Sequence, residues 1–225
     1  MRIAIKFFLC ISIFIFLYAP KILTAQQDDT LMKIVRANEV YHEKNYQLAA
    51  KIFENLIAQK KDNGYLYYNL GNTYMRLGDL GHAILNYIRA KKFIPRNENL
   101  DANLRYAISQ TADQLSPPQQ GFINEFLFWI DSISLTEHFK LLFMSNIIFW
   151  FVSIGLLYYR KPSWKILKNI FMGVLLITFF STGVKYYLQG KQIIGVILKN
   201  EVEIKSDRGN QNTTLFKLHK GAIIS

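Results

Sequence analysis

The chain has 225 residues, 51% of them hydrophobic, and a formal net charge of +11, which on its own would suit a nucleic-acid-binding protein. However, residues 26–120 are nearly balanced (12 Lys and Arg, 10 Asp and Glu), and the excess lies in residues 1–25 (3 against none) and 121–225 (12 against 6), beside apolar segments. Basic residues in such positions set membrane topology, so we predict a protein that contacts membrane lipid and exclude nucleic-acid binding.

Residues 1–25 have the three parts of a secretory signal peptide. Arg2 and Lys6 precede an apolar stretch over residues 7–19, and Ala25 supplies a small residue at a cleavage position. We predict that the peptide is cleaved after Ala25. The alternative is an uncleaved anchor, which would leave the following residues on the same side of the membrane.

Residues 26–115 predict a domain of helical hairpins. Within residues 64–97, small, aromatic and apolar residues and one proline recur at the spacing of the tetratricopeptide (TPR) repeat: Tyr67, Leu70, Gly71, Tyr74, Ala83, Tyr87, Ala90 and Pro95. Residues 30–63 form a degenerate copy, with Ala37, Tyr46, Ala49, Phe53 and Leu56 at matching positions. Terminal repeats commonly depart from the pattern because their outer face meets water. Residues 98–112 show helical spacing and predict a capping helix.

Residues 116–138 predict a linker followed by an interfacial helix. Residues 116–121 contain two prolines and a glycine, which break the helical pattern. Residues 122–133 place their aromatic and aliphatic side chains on one side of a helix, which predicts a helix lying on the membrane. Packing beneath the repeats is the alternative interpretation of the same pattern.

Residues 139–159 and 166–187 predict two transmembrane helices, because each is long and apolar enough to cross the hydrocarbon layer. The short connection, residues 160–165, is basic and is predicted to be cytoplasmic by the positive-inside rule. The competing interpretation, two buried helices of a soluble domain, is disfavoured because neither segment shows a polar stripe. An exported N-terminus then places residues 26–115 and the C-terminal segment together on the far side of the membrane.

Residues 193–225 change to the period-two alternation of β-strands. The segment is too short to close a small barrel of the SH3 type, so we expect either a longer natural chain or strands supplied by another subunit. The predicted fold class is therefore mainly α, with TPR helical hairpins, two transmembrane helices and a short, incomplete SH3-like β tail.

The order of these parts, with the tail motifs at residues 202–206 (VEIKS) and 214–221 (TLFKLHKG), resembles the BatE family, the TPR-containing members of the aerotolerance (Bat) operons. The resemblance covers nearly the whole chain. It implies a bacterial inner-membrane protein with its TPR domain and tail in the periplasm. It also implies a scaffold that works beside von Willebrand A-domain membrane proteins and a MoxR-type ATPase in an aerotolerance or stress-related complex.

TPR units bind their partners with the inner face of their first helices, which locates a predicted peptide groove. Its residues are Ile34, Asn38, Tyr41, Tyr65, Tyr68, Asn69, Asn72, Met75 and Arg76, with Leu31 and His42 beside the first three. Asn99, Ala102 and Asn103 supply no basic group, so we expect a mixed aromatic and amide groove for an extended or helical peptide rather than a carboxylate clamp. An ordinary solvated helix face is the alternative.

Residues that carry catalysis or bind metals are scarce. The single cysteine, Cys10, lies in the N-terminal apolar stretch, and the four histidines fall in four different segments. The sequence has no HExxH motif, phosphate-binding glycine loop or Gly-x-Ser-x-Gly motif. We predict a non-enzymatic scaffold with no cofactor or metal. The alternative is a cell-wall-binding protein that acts through the SH3-like tail, with the repeats as a spacer.

Overall fold

The computed structural model describes residues 24–59, 63–115, 128–159, 161–191, 194–206 and 213–224. These ranges confirm a mainly helical protein with two long apolar helices and a few short strands. Nearly all of the predicted signal peptide, the 116–121 linker and the first half of the predicted interfacial helix lie outside the described residues. The chain forms two compact units, Met1–Asp62 and Asn63–Ser225.

In the described part of the first unit, α1 (Thr24–His42) and α2 (Tyr46–Ala58) pack on each other. Their buried side chains recur at helical spacing and are Ala37, Val40, Ala49, Ala50, Phe53 and Leu56. The turn between the helices is closed by Asn45, whose side chain accepts a hydrogen bond from the Leu48 amide (3.3 Å) and so caps α2.

The second unit begins with three helices, α3 (Gly64–Arg76), α4 (Leu80–Lys91) and α5 (Glu98–Ser109). Each follows an Asn or Asp whose side chain accepts a hydrogen bond from the amide three residues on: Asn63, Asp79 and Asn97. The α3–α4 pair is tight at Gly71, where an added Cβ would lie 2.6 Å from two ring carbons of Tyr87. A small residue is therefore required at the position that the repeat pattern predicts.

From residue 128 onward the structure describes α6 (Phe128–Ser132), α7 (Leu135–Tyr159) and α8 (Pro162–Lys191). Among the described residues, α7 and α8 are the two helices whose length and composition would allow them to cross a membrane. Helix α7 begins earlier than the predicted span because Ser134 and Glu137 form a capping box. The Ser134 amide donates to Glu137 Oε2 (2.8 Å), and the Glu137 amide donates to Ser134 Oγ (3.3 Å).

Polar side chains connect α6, α7 and α8 at a few points. The Ser145 and Thr178 hydroxyls lie 2.9 Å apart between α7 and α8. Near the C-terminal end of α8, Lys185 Nζ lies 3.3 Å from Oδ1 of Asp131 on α6, and the Lys185 side chain is only 13% exposed. A few polar side chains therefore lie between these helices, where burial makes such contacts stabilising.

The C-terminal segment has four short strands, β1 (Gly195–Val196), β2 (Glu201–Lys205), β3 (Thr214–His219) and β4 (Ile223–Ile224). Strand β1 pairs antiparallel with β4, and β2 pairs antiparallel with β3, with Val202 opposite Leu218. The described residues thus form two two-stranded sheets rather than a closed barrel.

Candidate protein-binding face and the docked C-terminal segment

The predicted groove residues of the first unit lie on α1. Ile34, Asn38 and Tyr41 are half-exposed and lie at the border of the buried side of the same helix. The Tyr41 ring meets the Tyr46 ring edge-on at 5.3 Å, which orients it. Leu31 and His42, beside them, are exposed. Whether these residues share one groove with the second set stays a prediction.

The predicted residues of the second unit lie on α3, around the core positions of that helix. Tyr65 and Arg76 are exposed, and Tyr68, Asn69, Asn72 and Met75 are half-buried. Leu66 and Leu70, on the same helix, are buried. The helical period therefore separates a core side of α3 from the side that the prediction selected.

Two of the predicted residues take part in a hydrogen-bond network between three helices. Asn72 Oδ1 accepts from the Tyr87 hydroxyl on α4 (2.8 Å) and from Asn103 Nδ2 on α5 (2.9 Å). The same Asn103 nitrogen lies 3.2 Å from the Tyr68 hydroxyl, to which it donates. Tyr68 and Asn72 consequently hold α3 against its neighbours, and changing them would alter packing as well as any binding.

Asn103 belongs to the same candidate site, although the predicted groove did not include it. A usable signal was present, because Asn103 lies one 34-residue repeat period after Asn69. Its side-chain amide donates hydrogen bonds to Tyr68 and Asn72 on α3, so α3 and α5 contribute to one surface. We name this surface the α3–α5 face and define it by Tyr65, Tyr68, Asn72, Asn103 and Tyr106.

Two exposed tyrosines flank the amide network on the α3–α5 face. Tyr65 lies one helical turn before Tyr68 and is 60% exposed, and Tyr106 lies one turn after Asn103 and is 59% exposed. A tyrosine combines a large apolar ring with a hydrogen-bonding hydroxyl, which suits contact with another polypeptide. The face therefore offers two aromatic contact points around an internally braced polar centre.

The C-terminal segment contacts the helical part of the second unit. Lys220 Nζ lies 3.0 Å from Asp79 Oδ1, at the start of α4. Just after α5, Asp113 accepts from the His219 amide at 2.6 Å and has its other oxygen 2.9 Å from His219 Nδ1. The Ala222 amide donates to the His219 carbonyl (3.0 Å), which closes the turn between β3 and β4, and the Gly221 amide donates to the carbonyl of Ile197, just after β1 (2.8 Å). No local pattern in the sequence signals this docking.

The electrostatics of these contacts favour ionised carboxylates. Hydrogen bonds from the His219 side chain and then from its amide hold the pKa of Asp113 below its usual value. Burial raises the pKa of Asp79, but hydrogen bonds from Lys220 and from the His82 amide and ring outweigh burial and lower it overall. The docked segment is thus held by charge-assisted contacts at neutral pH.

The described part of the chain contains no group of three or more His, Cys, Asp or Glu side chains that could hold a metal ion. The candidate site that the described residues offer is the α3–α5 face. Comparison of the sequence with protein-family models and with curated proteins gave no match.

Proposed function

We propose that this protein is a non-enzymatic, membrane-anchored scaffold that binds a segment of a partner protein at the α3–α5 face. The observation that carries the proposal is the pair of exposed rings, Tyr65 and Tyr106, on either side of the Asn72–Asn103 contact. Tyrosine is enriched at the centres of protein interfaces, where its ring buries apolar area while its hydroxyl remains hydrogen-bonded. The internal bracing keeps the face rigid, which lowers the entropy lost on binding.

The helical hairpin formed by α3 and α4 supports the proposal that residues 26–115 are a TPR domain. Gly71 packs against Tyr87, as the repeat pattern requires, and Pro95 follows α4. With the resemblance to the BatE family, this points to von Willebrand A-domain membrane proteins as partners, together with a MoxR-type ATPase system. The role is then assembly of an aerotolerance or stress-related complex.

We place the protein in a bacterial inner membrane, crossed by α7 and α8, with helices α3–α5 and the C-terminal segment in the periplasm. The contacts of Lys220 with Asp79 and of His219 with Asp113 support this topology, since they require both ends of the α7–α8 hairpin to lie on one side. The basic connection between α7 and α8 favours the cytoplasm for the opposite end.

The alternative, cell-wall binding through the C-terminal segment, has support from the exposure of Leu215 and Phe216 on β3. It is disfavoured because His219 and Lys220, on the same strand and turn, already contact Asp113 and Asp79. A segment fixed at these points is less suited to act as an independent module on a long spacer.

Site-specific photo-crosslinking of the full chain in living cells tests the proposal. A benzophenone amino acid at Tyr65 or at Tyr106 should form an adduct with a membrane-anchored protein carrying a von Willebrand A domain. The matched control is the same group at Lys92, an exposed position just after α4 that is not one of the residues defining the face. Equal adducts at all three positions would refute the face as the binding site. The same group is also placed at Leu215 and at Phe216, and adducts formed only from these two positions would favour the wall-binding alternative.

A further inference from the structure

The connection between α7 and α8 carries a compact set of lysines. Lys161 and Lys165 are exposed and Lys168 is half-exposed. The Lys161 carbonyl accepts from the Trp164 amide (3.1 Å), so Lys161 already follows the path of α8. Lys161, Lys165 and Lys168 are spaced four and then three residues apart, so they share one face of the helix. We name Lys161, Trp164, Lys165 and Lys168 the hairpin tip.

The charge of the hairpin tip has no partner within the protein's own membrane hairpin. Residues 138–200 contain no Asp or Glu. The ion pairs of the described residues involve none of these three lysines. Lysines at i,i+4 spacing repel each other, so clustering them does not stabilise α8 by itself. The tip is thus a concentrated positive surface that suits an anionic ligand.

Trp164 holds this surface at a fixed position against the end of α7. Its ring stacks on the Tyr159 ring, with centroids 5.2 Å apart and an interplanar angle of 11°. The ring also covers Gly155, where an added Cβ would lie 2.3 Å from a ring carbon. Trp and Tyr prefer the boundary between hydrocarbon and headgroups, so the stack keeps the three lysines at headgroup level.

We propose that the hairpin tip binds the headgroups of anionic phospholipids, with Lys161, Lys165 and Lys168 contacting the lipid phosphates. The inference rests on the membrane insertion of α7 and α8 in the proposed function. Each lysine near an anionic surface contributes about fivefold to the preference for an anionic lipid. In addition to setting the membrane topology, these lysines then select the lipids that surround the protein.

The test measures lipid selectivity by tryptophan quenching. The full chain with Trp129→Phe and Trp150→Phe keeps only Trp164, and it is reconstituted into bilayers containing brominated phosphatidylglycerol or brominated phosphatidylcholine. Trp164 should be quenched with at least about a fivefold preference for the anionic lipid. Changing Lys161, Lys165 and Lys168 to Gln should reduce that preference to about one, whereas Lys191→Gln, at the other end of α8, should leave it unchanged.

A second single-tryptophan chain separates this inference from the proposal on which it rests. Trp150, an exposed residue within α7, is kept alone by Trp129→Phe and Trp164→Phe. Insertion predicts equal quenching of Trp150 by both brominated lipids. No quenching of Trp150 by either lipid would overturn the membrane hairpin itself. Quenching of Trp150 together with no lipid preference at Trp164 would overturn the headgroup proposal alone.

Discussion

The turn at Gly221 offers the sharpest test of the docked C-terminal segment. Gly221 has a φ of +93°, a conformation that residues with a side chain rarely adopt. An added Cβ would lie 2.4 Å from Thr111 Cγ2 and 3.2 Å from Ile84 Cδ1. Thr111 and Ile84 are both buried and have little room to move, so the methyl group of Gly221→Ala should displace the C-terminal segment from the helices.

The change in docking free energy caused by Gly221→Ala is the sum of two destabilising contributions and one stabilising contribution. An L-residue in the left-handed region costs about 1–2 kcal/mol. Overpacking a buried site costs about 1–3 kcal/mol, and Thr111 cannot rotate away freely because its hydroxyl donates to the Ile108 carbonyl and accepts from the Gln114 amide. Alanine recovers about 0.4–1 kcal/mol by restricting the unfolded chain. The net loss is about 1–4.5 kcal/mol, or at least fivefold in the docking equilibrium.

Hydrogen exchange of the full chain in detergent measures this equilibrium, because exchange reports local opening. Peptides covering residues 194–206 and 213–224 should lose protection at least fivefold in Gly221→Ala, and peptides from α3–α5 should not change. Gly78→Ala is the matched control, since Gly78 also has positive φ (74°) but no atom within 4 Å of its added Cβ. Unchanged protection of the C-terminal peptides in Gly221→Ala would refute the docked arrangement.

Two further predictions concern single contacts. The pKa of Asp113 is lower in the folded protein than in the unfolded chain, where it is about 3.9. The carboxylate of Asp113 therefore contributes fully to docking above the unfolded pKa, and this contribution is lost as the pH falls through the folded pKa. Protection of the C-terminal peptides should therefore fall below about pH 4, and Asp113→Asn should flatten the profile; a steeper profile in the variant would contradict the assignment. Ser134→Ala should cost about 1 kcal/mol by removing the cap of α7, seen as a lower thermal midpoint in detergent. Thr136→Ala, two residues on and exposed, should leave the midpoint nearly unchanged.

The helical content of this protein follows from information within a few residues. Asn63 and Asp79 mark helix starts because each side chain caps an amide only three residues away. The length and apolar composition of α7 and α8 likewise need no knowledge of the rest of the fold. The start of α7 was missed by the hydropathy pattern because Glu137 is charged, although Ser134 and Glu137 together have the spacing of a capping box.

The candidate site was only partly visible in the sequence. Helical periodicity distinguished the exposed side of α3 from its buried side, since Tyr65 is exposed and Leu66 is buried. That the exposed side binds a partner stays a prediction. It could not show that Asn72 is engaged by Asn103, because the two residues are 31 positions apart and meet only when α3 and α5 pack. An asparagine on a predicted inner face has the same local pattern whether it binds a partner or its own neighbour.

Local patterns alone were sufficient for the mainly helical class, the two long apolar helices and the strand-like end of the chain, since each depends on spacing, caps or length over one or two turns. Tertiary structure alone decided that His219 meets Asp113 across 106 residues and that Lys185 meets Asp131 between helices. The reason is physical: a side chain's partner in space depends on how whole helices are oriented, and that orientation is set by the packing of the complete chain.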